Sequence, residues 1–201
     1  MLVRILSLVL LATLSFSIWQ PPAEEAESDT LTGHFLVATN QLRDPGFAKT
    51  VVYILKHGAD GAMGIIVNRP RGKVSFAEIS AMMGSELSED QTELVVFYGG
   101  PVELDRGFLL HSSDVLLETS HVVDQGVAVT SDPALLKSIA QGEGPENYIF
   151  AVGYAGWAPN QLETEIAAGS WLTQEADLPS LFAEEPEKTW ELLIGKRVFR
   201  L

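Results

Sequence analysis

The stretch Thr50–Pro70, TVVYILKHGADGAMGIIVNRP, decides the fold class. Thr50–Leu55 concentrates β-branched and aromatic residues without helical spacing, and Ile65–Val67 is a second short apolar run. Gly58–Gly64 between them has the length and composition of a hairpin connection. Asn68-Arg69-Pro70 then breaks the chain. The stretch therefore predicts two strands joined as a hairpin.

Similar patterns on both sides of this stretch predict further strands and helices. The strands are Phe35–Ala38, Leu94–Tyr98, Phe108–Leu110, Val127–Val129, Tyr148–Val152 and Trp171–Leu172. The helices are one opened by the Ser75/Glu78 capping box and ending near Gly84, one capped by Asp132 and ended by Gly142, Pro159–Ala168, and Pro186–Ile194. Because strands arrive partly as hairpins and partly around helices, we expect an α+β fold with a mixed sheet.

Composition and charge exclude several classes of function. The chain carries 27 acidic and 13 basic residues, for a net charge of -14, and its acidic residues all lie from Glu24 onward. Such a body repels nucleic-acid phosphates, so DNA binding is disfavoured. Cysteine is absent and the four histidines lack the spacing of metal ligands, so we predict neither a metal site nor a cofactor.

The first twenty residues differ from the rest. Arg4 is the only charge before Trp19, and Ile5–Trp19 is almost unbroken apolar sequence. Residues 1–20 are therefore predicted to be a signal peptide or hydrophobic anchor, residues 21–30 an acidic, proline-containing linker, and residues 31–201 a single domain. A spanning helix needs about 17 to 25 apolar residues, so cleavage is favoured over anchoring. We expect an exported, periplasmic protein or one tethered to the inner membrane through this segment alone.

Several blocks along the chain resemble the AlgH/YqgE family. They are GHFLVA (33–38), DPGF (44–47), GAMGIIVNRP (61–70), YGGPV (98–102), GYAGW (153–157), QLETE (161–165) and WL (171–172). The resemblance implies an α+β fold whose mixed, bifurcated sheet curls toward a barrel, flanked by helices. It also implies a role in transcriptional control, without naming a chemical step, and carries over no catalytic residue. Family members usually begin near the first strand, so a misassigned start would make this protein cytoplasmic.

The segment Asn68–Lys73 is the best candidate for an anion site. It holds three positive charges in an otherwise acidic chain, and a backbone turn there could present them to a carboxylate or phosphate. The alternative is a solvated turn in which Arg69 pairs with a carboxylate. Gly99-Gly100-Pro101 would let the backbone approach either a ligand or a crossing chain segment closely.

The segment Gly153–Glu165 combines a turn, an aromatic side chain and carboxylates at a helix start. Gln161 and Glu165, four residues apart, share a helix face and could line a groove beside Trp157. Alternatively, the carboxylates favour the helix dipole while Trp157 fills the core. Glu163 and Glu165, two apart, point in different directions and cannot act as a catalytic pair.

These features support three hypotheses. The first is a non-enzymatic binding or regulatory protein, with no catalytic residue, that contacts an unknown protein or a small anionic ligand. Its predicted surface consists of Asn68, Arg69, Pro70, Gly99, Gly100, Pro101, Gly153, Tyr154, Gly156, Trp157, Gln161 and Glu165. The second is a hydrolase-like enzyme that uses His111 with Glu163 or Glu165. The third is a DNA-associated transcriptional regulator, which the charge opposes.

Overall fold

The computed structural model describes residues 30–82, 93–124 and 126–196. Its strands are β1 His34–Ala38, β2 Val51–Gly58, β3 Gly61–Ile66, β4 Pro70–Ser75, β5 Glu93–Tyr98, β6 Val102–Ser112, β7 His121–Val122, β8 Val127–Thr130, β9 Tyr148–Trp157 and β10 Trp171–Glu175. Its helices are α1 Phe76–Met82, α2 Pro133–Ala140, α3 Gln161–Ala167, α4 Leu178–Leu181 and α5 Thr189–Lys196. The predicted leader, residues 21–29 of the linker and the helix stop at Gly84 lie outside the described residues.

The strands form one sheet in the order β10-β1-β2-β3-β9-β6-β8-β7, with β5 beside β9 and β4 beside β5. The β5–β9 pairing is parallel and the other pairings are antiparallel, so the sheet is mixed. The sheet curls into a half-barrel flanked by helices. This confirms the predicted α+β fold.

The sheet branches at β9. Phe150–Val152 pairs with β5 on one side and with β6 on the other, whereas Ala155–Trp157 pairs with β3. Gly153 lies at the branch and has a left-handed backbone with φ +72°. One strand therefore serves two sub-sheets, which is the bifurcation that the family resemblance implied.

The sequence of β2 is a continuous apolar run because both faces of this strand are buried. Val51, Tyr53 and Leu55 face one core cluster, together with Leu193 of α5, while Val52 and Ile54 face another, together with Leu162 of α3. Side chains of a strand alternate between the two faces, and here helices cover both faces. Periodicity of two is therefore invisible in the sequence of β2.

Three predicted breaks in the chain are wrong. The hairpin between β2 and β3 turns at residues 59–60, so most of Gly58–Gly64 belongs to the strands. The segment after Asn68 forms β4, because a proline at the first position of an edge strand needs no partner for its missing N–H, and β5 supplies the ladder. Gly153–Trp157 continues β9 because β3 pairs with it.

The sequence patterns also missed two short elements. Strand β7 has two residues and helix α4 has four, so neither is long enough to show a period. The predicted caps are confirmed: Asp132 accepts a hydrogen bond from the Ala134 amide, and Glu78 accepts one from the Ser75 amide. In the described ranges, no helix has both the length and the apolar character to cross a membrane.

Candidate functional site

Two tryptophans and a glutamate form a cluster where β9, α3 and β10 meet. Glu165 Oε2 accepts hydrogen bonds from the indole N–H of Trp157 at 3.0 Å and of Trp171 at 2.8 Å. The two indoles pack edge to face with their ring centroids 6.0 Å apart. Both indoles are buried, so their N–H groups require an acceptor, and Glu165 provides it. We call Trp157, Gln161, Glu165 and Trp171 the tryptophan cluster.

Gln161 completes the cluster from the first turn of α3. Its Nε2 donates to Glu165 Oε1 at 2.9 Å, and its Oε1 accepts from the Ala158 amide at 3.0 Å. The predicted shared face of Gln161 and Glu165 is therefore confirmed. Both oxygens of Glu165 are already used within the protein, so this carboxylate orients the two indoles and ties α3 to β10.

Arg69 forms hydrogen bonds to the backbone of the loop that precedes β2. Its Nη1 donates to the Gly46 carbonyl at 2.6 Å and its Nη2 to the Ala48 carbonyl at 2.8 Å. Burial lowers the pKa of Arg69, and the neighbouring charge of Arg71 lowers it further. The predicted partner was a carboxylate, and the actual partners are backbone oxygens. Phe47, between the two carbonyls, packs edge to face on Trp171, so Arg69 supports the tryptophan cluster indirectly.

Asn68 has a comparable role one residue earlier. Its Oδ1 accepts from the Val51 amide at 2.8 Å, and its Nδ2 donates to the Lys49 carbonyl at 3.0 Å. The Asn68 side chain is buried and both of its polar atoms are satisfied. Pro70 follows as the first residue of β4, where Arg71 stacks on the Tyr98 ring with its guanidinium carbon 4.9 Å from the centroid. Arg69 and Arg71 therefore have separate partners and do not converge on one anion.

The glycines of the predicted surface lie at the branch of the sheet. A Cβ on Gly99 would come within 2.2 Å of the Gly153 carbonyl, and one on Gly100 within 2.1 Å of the Tyr154 backbone. The Gly99 amide donates to the Val152 carbonyl at 2.8 Å. Of the two alternatives, a ligand or a crossing chain segment, the structure shows the crossing segment. Pro101, next in the chain, is exposed.

The two remaining residues of the predicted surface lie beyond the branch, on β9. Tyr154 packs edge to face on Phe108, with 6.0 Å between the ring centroids. Gly156 pairs with Met63 of β3 and is exposed. The predicted surface therefore separates into three parts. They are the close backbone contacts of Gly99, Gly100 and Gly153, the side-chain bonds of Asn68 and Arg69 to the backbone, and the tryptophan cluster.

Sequence patterns missed a contact between His57 and Glu163. The His57 Nε2 lies 2.8 Å from Glu163 Oε1, and the His57 Nδ1 accepts from the Leu31 amide at 3.1 Å. Because Nδ1 accepts, Nε2 carries the proton in the neutral ring. The backbone N–H of Glu163 and then the bond to His57 lower the pKa of the Glu163 carboxyl. The partners are 106 residues apart, so no local signal could have revealed the pair.

The structure contradicts the pairing of His111 with Glu163 or Glu165. His111 is fully buried on β6 opposite Tyr148, the first residue of β9, whereas α3 follows the last residue of β9. Ten residues of strand span about 30 Å. The His111 Nδ1 bonds to the Ser112 carbonyl at 2.9 Å, and burial lowers the pKa of His111. The hydrolase hypothesis therefore loses its base–carboxylate pair.

Within residues 30–82, 93–124 and 126–196, no three His, Asp or Glu side chains come together as a metal site would require. The polar side chains of Gln161, Glu163 and Glu165 on α3 all have protein partners. The cluster resembles a structural brace more than a reactive centre.

A groove of about 1220 Å³ runs beside β10, next to the tryptophan cluster. Its walls are Ile166 and Gly169 from the α3 end, the strand itself, and the Asp177–Lys196 ion pair at 3.4 Å. Strand β10 is the end of the sheet order, and within the described ranges no strand pairs with its outer side. This groove is lined by Trp171 and not by Trp157, Gln161 or Glu165, so it is not the groove that was predicted beside Trp157.

The backbone of β10 presents a regular pattern of polar groups to this groove. The Thr39 amide donates to the Ser170 carbonyl at 3.0 Å, and the β1–β10 register continues without a bulge. Bonded and non-bonded residues alternate in an antiparallel ladder, so Leu172 and Gln174 bond to β1. The N–H and C=O groups of Trp171, Thr173 and Glu175 consequently point to the outer side.

Comparison with known proteins shows the family. The AlgH-like family model matches residues 35–198. A UPF0301 protein of Bradyrhizobium diazoefficiens is 40% identical over 183 residues, which cover 87% of this chain and 86% of that protein. A UPF0301 protein of Thioalkalivibrio sulfidiphilus is 42% identical over 164 residues, covering 82% and 88%.

Solved structures agree with the sequence relatives. The solution structure of the AlgH protein from Pseudomonas aeruginosa is 33% identical, with a TM-score of 0.72, and the match covers 89% of this chain and 94% of that chain. The crystal structure of protein DIP2367 from Corynebacterium diphtheriae shares the fold at 19% identity and a TM-score of 0.64, covering 82% and 85%. The protein therefore belongs to the AlgH-like, UPF0301 family.

Proposed function

We propose that this protein is a binding protein that takes up an extended segment of a partner protein along the outer side of β10. The observation that carries the proposal is the unpaired outer side of that strand, set in a groove of about 1220 Å³. In strand addition, backbone hydrogen bonds provide the affinity and pockets for alternate side chains provide the specificity.

The backbone supplies the affinity of such a contact. Trp171, Thr173 and Glu175 each offer one N–H and one C=O on the outer side, which is enough for an antiparallel partner of about five residues. An edge strand that must avoid pairing commonly carries lysine, proline or a bulge. Strand β10, with the sequence WLTQE, has no lysine, proline or bulge, and its one charged residue, Glu175, is the last residue of the strand.

The side chains beside β10 supply the selectivity. Ile166 and Leu172 are half-buried and lie on the walls of the groove, and Trp171 is buried at its base. Leu172 packs in one core cluster, whereas Ile166 and Trp171 pack in the other, on the opposite face of the sheet. Successive side chains of a partner strand would therefore meet the two apolar surfaces in turn. The tryptophan cluster holds α3 against β10, so it preserves the groove without contacting the partner through its own polar atoms.

A regulatory effect would pass through that partner. The net charge of -14 opposes direct contact with DNA, and the groove offers backbone groups and apolar walls instead of a basic surface. A small anionic ligand, the other partner considered from the sequence, receives less support. The guanidinium of Arg69 already donates hydrogen bonds to the Gly46 and Ala48 carbonyls.

The test uses peptides selected against the protein from a displayed library of linear 12-residue sequences. Thr173→Pro removes one outward N–H and leaves the β1 ladder intact, because Leu172 and Gln174 make those bonds. We expect the selected peptides to bind this variant at least about tenfold more weakly, because one backbone hydrogen bond is lost and the proline ring clashes with the peptide. Thr173→Ala keeps the N–H and should bind within about twofold.

Amide hydrogen exchange locates the contact independently. Bound peptide should slow exchange at Trp171, Thr173 and Glu175, whose N–H groups face outward, and leave Leu172 and Gln174 unchanged. Equal binding to Thr173→Pro and wild type, or protection confined to another strand, would refute the proposal. A concentration-dependent dimer that Thr173→Pro abolishes would identify the partner strand as a second copy of this chain, and so would replace the foreign partner.

A further inference from the structure

A second groove, far along the sheet from β10, has acidic walls. It has a volume of about 570 Å³ and lies between β4, β5 and the start of β9 on one side and residues 181–187 on the other. Glu93, Glu146, Glu184 and Glu187 are exposed on its rim, and Lys73 is the basic residue there. We call this the acidic groove. Its volume falls in the usual range of ligand-binding clefts.

The four rim carboxylates of the acidic groove outnumber the one basic residue that lines it, Lys73. Lys188, which follows the segment 181–187, is bound to Glu185, and its pKa is raised by that bond first and also by the charge of Glu187. None of the four rim carboxylates forms an ion pair with a described residue. Four like charges around one opening repel each other, so the opening attracts cations.

The floor of the same groove is apolar. Phe97, Ile149 and Leu181 are buried beneath it, Phe182 is half-buried, and Val95 retains 38% of its surface exposed. An isolated metal ion or a fully hydrated cation would gain nothing from that floor. A ligand that matches both parts needs positive groups for the rim and an apolar side for the floor.

We propose that the acidic groove binds a short, basic, amphipathic segment of a partner protein. Lysine or arginine side chains would reach Glu93 and Glu146 on one wall and Glu184 and Glu187 on the other, and apolar side chains would cover Val95 and Phe182. Charge complementarity supports this occupant over a neutral or acidic peptide. The acidic groove does not involve β10, so this inference is independent of the proposed function.

The probe is a synthetic, fluorescently labelled 12-residue peptide with leucines on one face and lysines on the other. Controls are the same peptide with every lysine replaced by glutamine or by glutamate. Anisotropy titrations at low salt should show binding of the lysine peptide that weakens about tenfold or more between 50 and 200 mM salt, because screening reduces charge attraction. The other two peptides should bind at least about tenfold more weakly.

Matched variants separate the acidic groove from the general acidity of the protein. Glu184→Gln with Glu187→Gln should lower affinity for the lysine peptide at least about fivefold, whereas Glu118→Gln with Glu143→Gln, two exposed carboxylates elsewhere, should change it less than about twofold. Val95→Ser should also weaken binding, by about threefold. Thr173→Pro should have no effect.

Two outcomes would overturn the inference. If both double variants lower affinity equally, the peptide responds to net charge alone. If the glutamine peptide binds as tightly as the lysine peptide, the rim carboxylates do not contribute. Because Glu184, Glu187 and Val95 are exposed, these variants should keep the wild-type circular dichroism spectrum and midpoint of unfolding, which is checked before each titration.

Discussion

Glu165 was a candidate functional residue in the sequence, but in the structure its carboxylate stabilises the fold. Its Oε2 accepts from two buried indoles and its Oε1 from an amide, so its hydrogen-bonding capacity is committed. Residues 157 and 171 belong to strands that never pair with each other. Within the described part of the chain, the polar link between the two indoles is this carboxylate on the intervening helix α3.

Removal of that carboxylate should destabilise the protein. We expect Glu165→Ala to lower the free energy of unfolding by about 2–3 kcal/mol, because it leaves two buried indole donors without an acceptor. Glu165→Gln keeps one acceptor oxygen and should cost about 1 kcal/mol. The exposed neighbour Glu163→Gln should change stability by less than about 0.5 kcal/mol. Urea unfolding followed by tryptophan fluorescence measures all three, and equal stability of Glu165→Ala and wild type would show that the cluster is dispensable.

His111 predicts a pH dependence of stability. Burial lowers its pKa in the folded protein, so between that lowered value and about 6.5, its ordinary value, the unfolded chain binds more protons. The contribution of His111 to stability is therefore present above about pH 6.5 and is lost as the pH falls through the lowered pKa. We expect the wild type to lose more stability than His111→Gln between pH 7.5 and pH 5 in urea titrations.

The exposed His121 provides the control for this measurement. His121→Gln replaces an exposed histidine by the same residue, glutamine, and is measured in parallel. A wild-type loss of stability that matches the loss in His111→Gln would show that other groups cause it.

At the scale of elements, the branch in β9 depends on backbone contacts that no side chain could make. Gly153 combines φ +72° with a Cβ position 2.5 Å from the Gly100 carbonyl. Gly142, after α2, has a similar φ of +76° but no atom within 4 Å of its Cβ position. Comparison of the two glycines therefore separates two free-energy costs of adding a Cβ. One is the left-handed backbone conformation, and the other is the clash with the neighbouring backbone.

Alanine substitutions at these glycines should differ strongly. Gly142→Ala should destabilise the protein by about 1 kcal/mol, the cost of a left-handed alanine. Gly153→Ala should cost more than about 4 kcal/mol or prevent folding, because the Gly100 backbone must also move. Thermal unfolding by circular dichroism measures both variants. Similar midpoints for the two would mean that the branch relaxes without cost.

At the scale of the whole molecule, a predicted leader precedes a body whose first described residues are bonded to the sheet. Thr30 and Leu31, the first described residues, are fastened to His57, with the Leu31 amide 3.1 Å from His57 Nδ1. The leader predicted for residues 1–20 has no described structure. We propose that it directs export, and that the β10 groove therefore meets its partner outside the cytoplasm.

The mass of the mature protein checks this proposal. We expect intact mass spectrometry of protein from the native cell envelope fraction to lack the first twenty or so residues, because Leu2–Trp19 is short for an anchor. A soluble cytoplasmic protein with an intact Met1 would refute export. Recovery of intact Met1 in the inner membrane fraction would instead support an anchor.

Much of the element order could be predicted from local patterns, because caps, turns and apolar runs act over a few residues. The Ser75/Glu78 box, the Asp132 cap and the shared face of Gln161 and Glu165 all followed from spacing on a helix. The family blocks, which are local as well, identified the branched sheet. The predictions failed where a distant strand converted an apparent loop into a ladder, as at β4 and at the end of β9.

By itself, then, the sequence determined the α+β class, the acidic charge, the apolar composition of the first nineteen residues and the family, since each depends on composition or on residues close together in the chain. Only the tertiary structure decided what the marked residues do. It showed that Glu165 serves two indoles, that Arg69 holds backbone carbonyls, and that His111 and the α3 carboxylates lie apart. Partners more than a hundred residues apart, such as His57 and Glu163, meet because β3 pairs with both β2 and β9, which brings the end of β2 close to the start of α3.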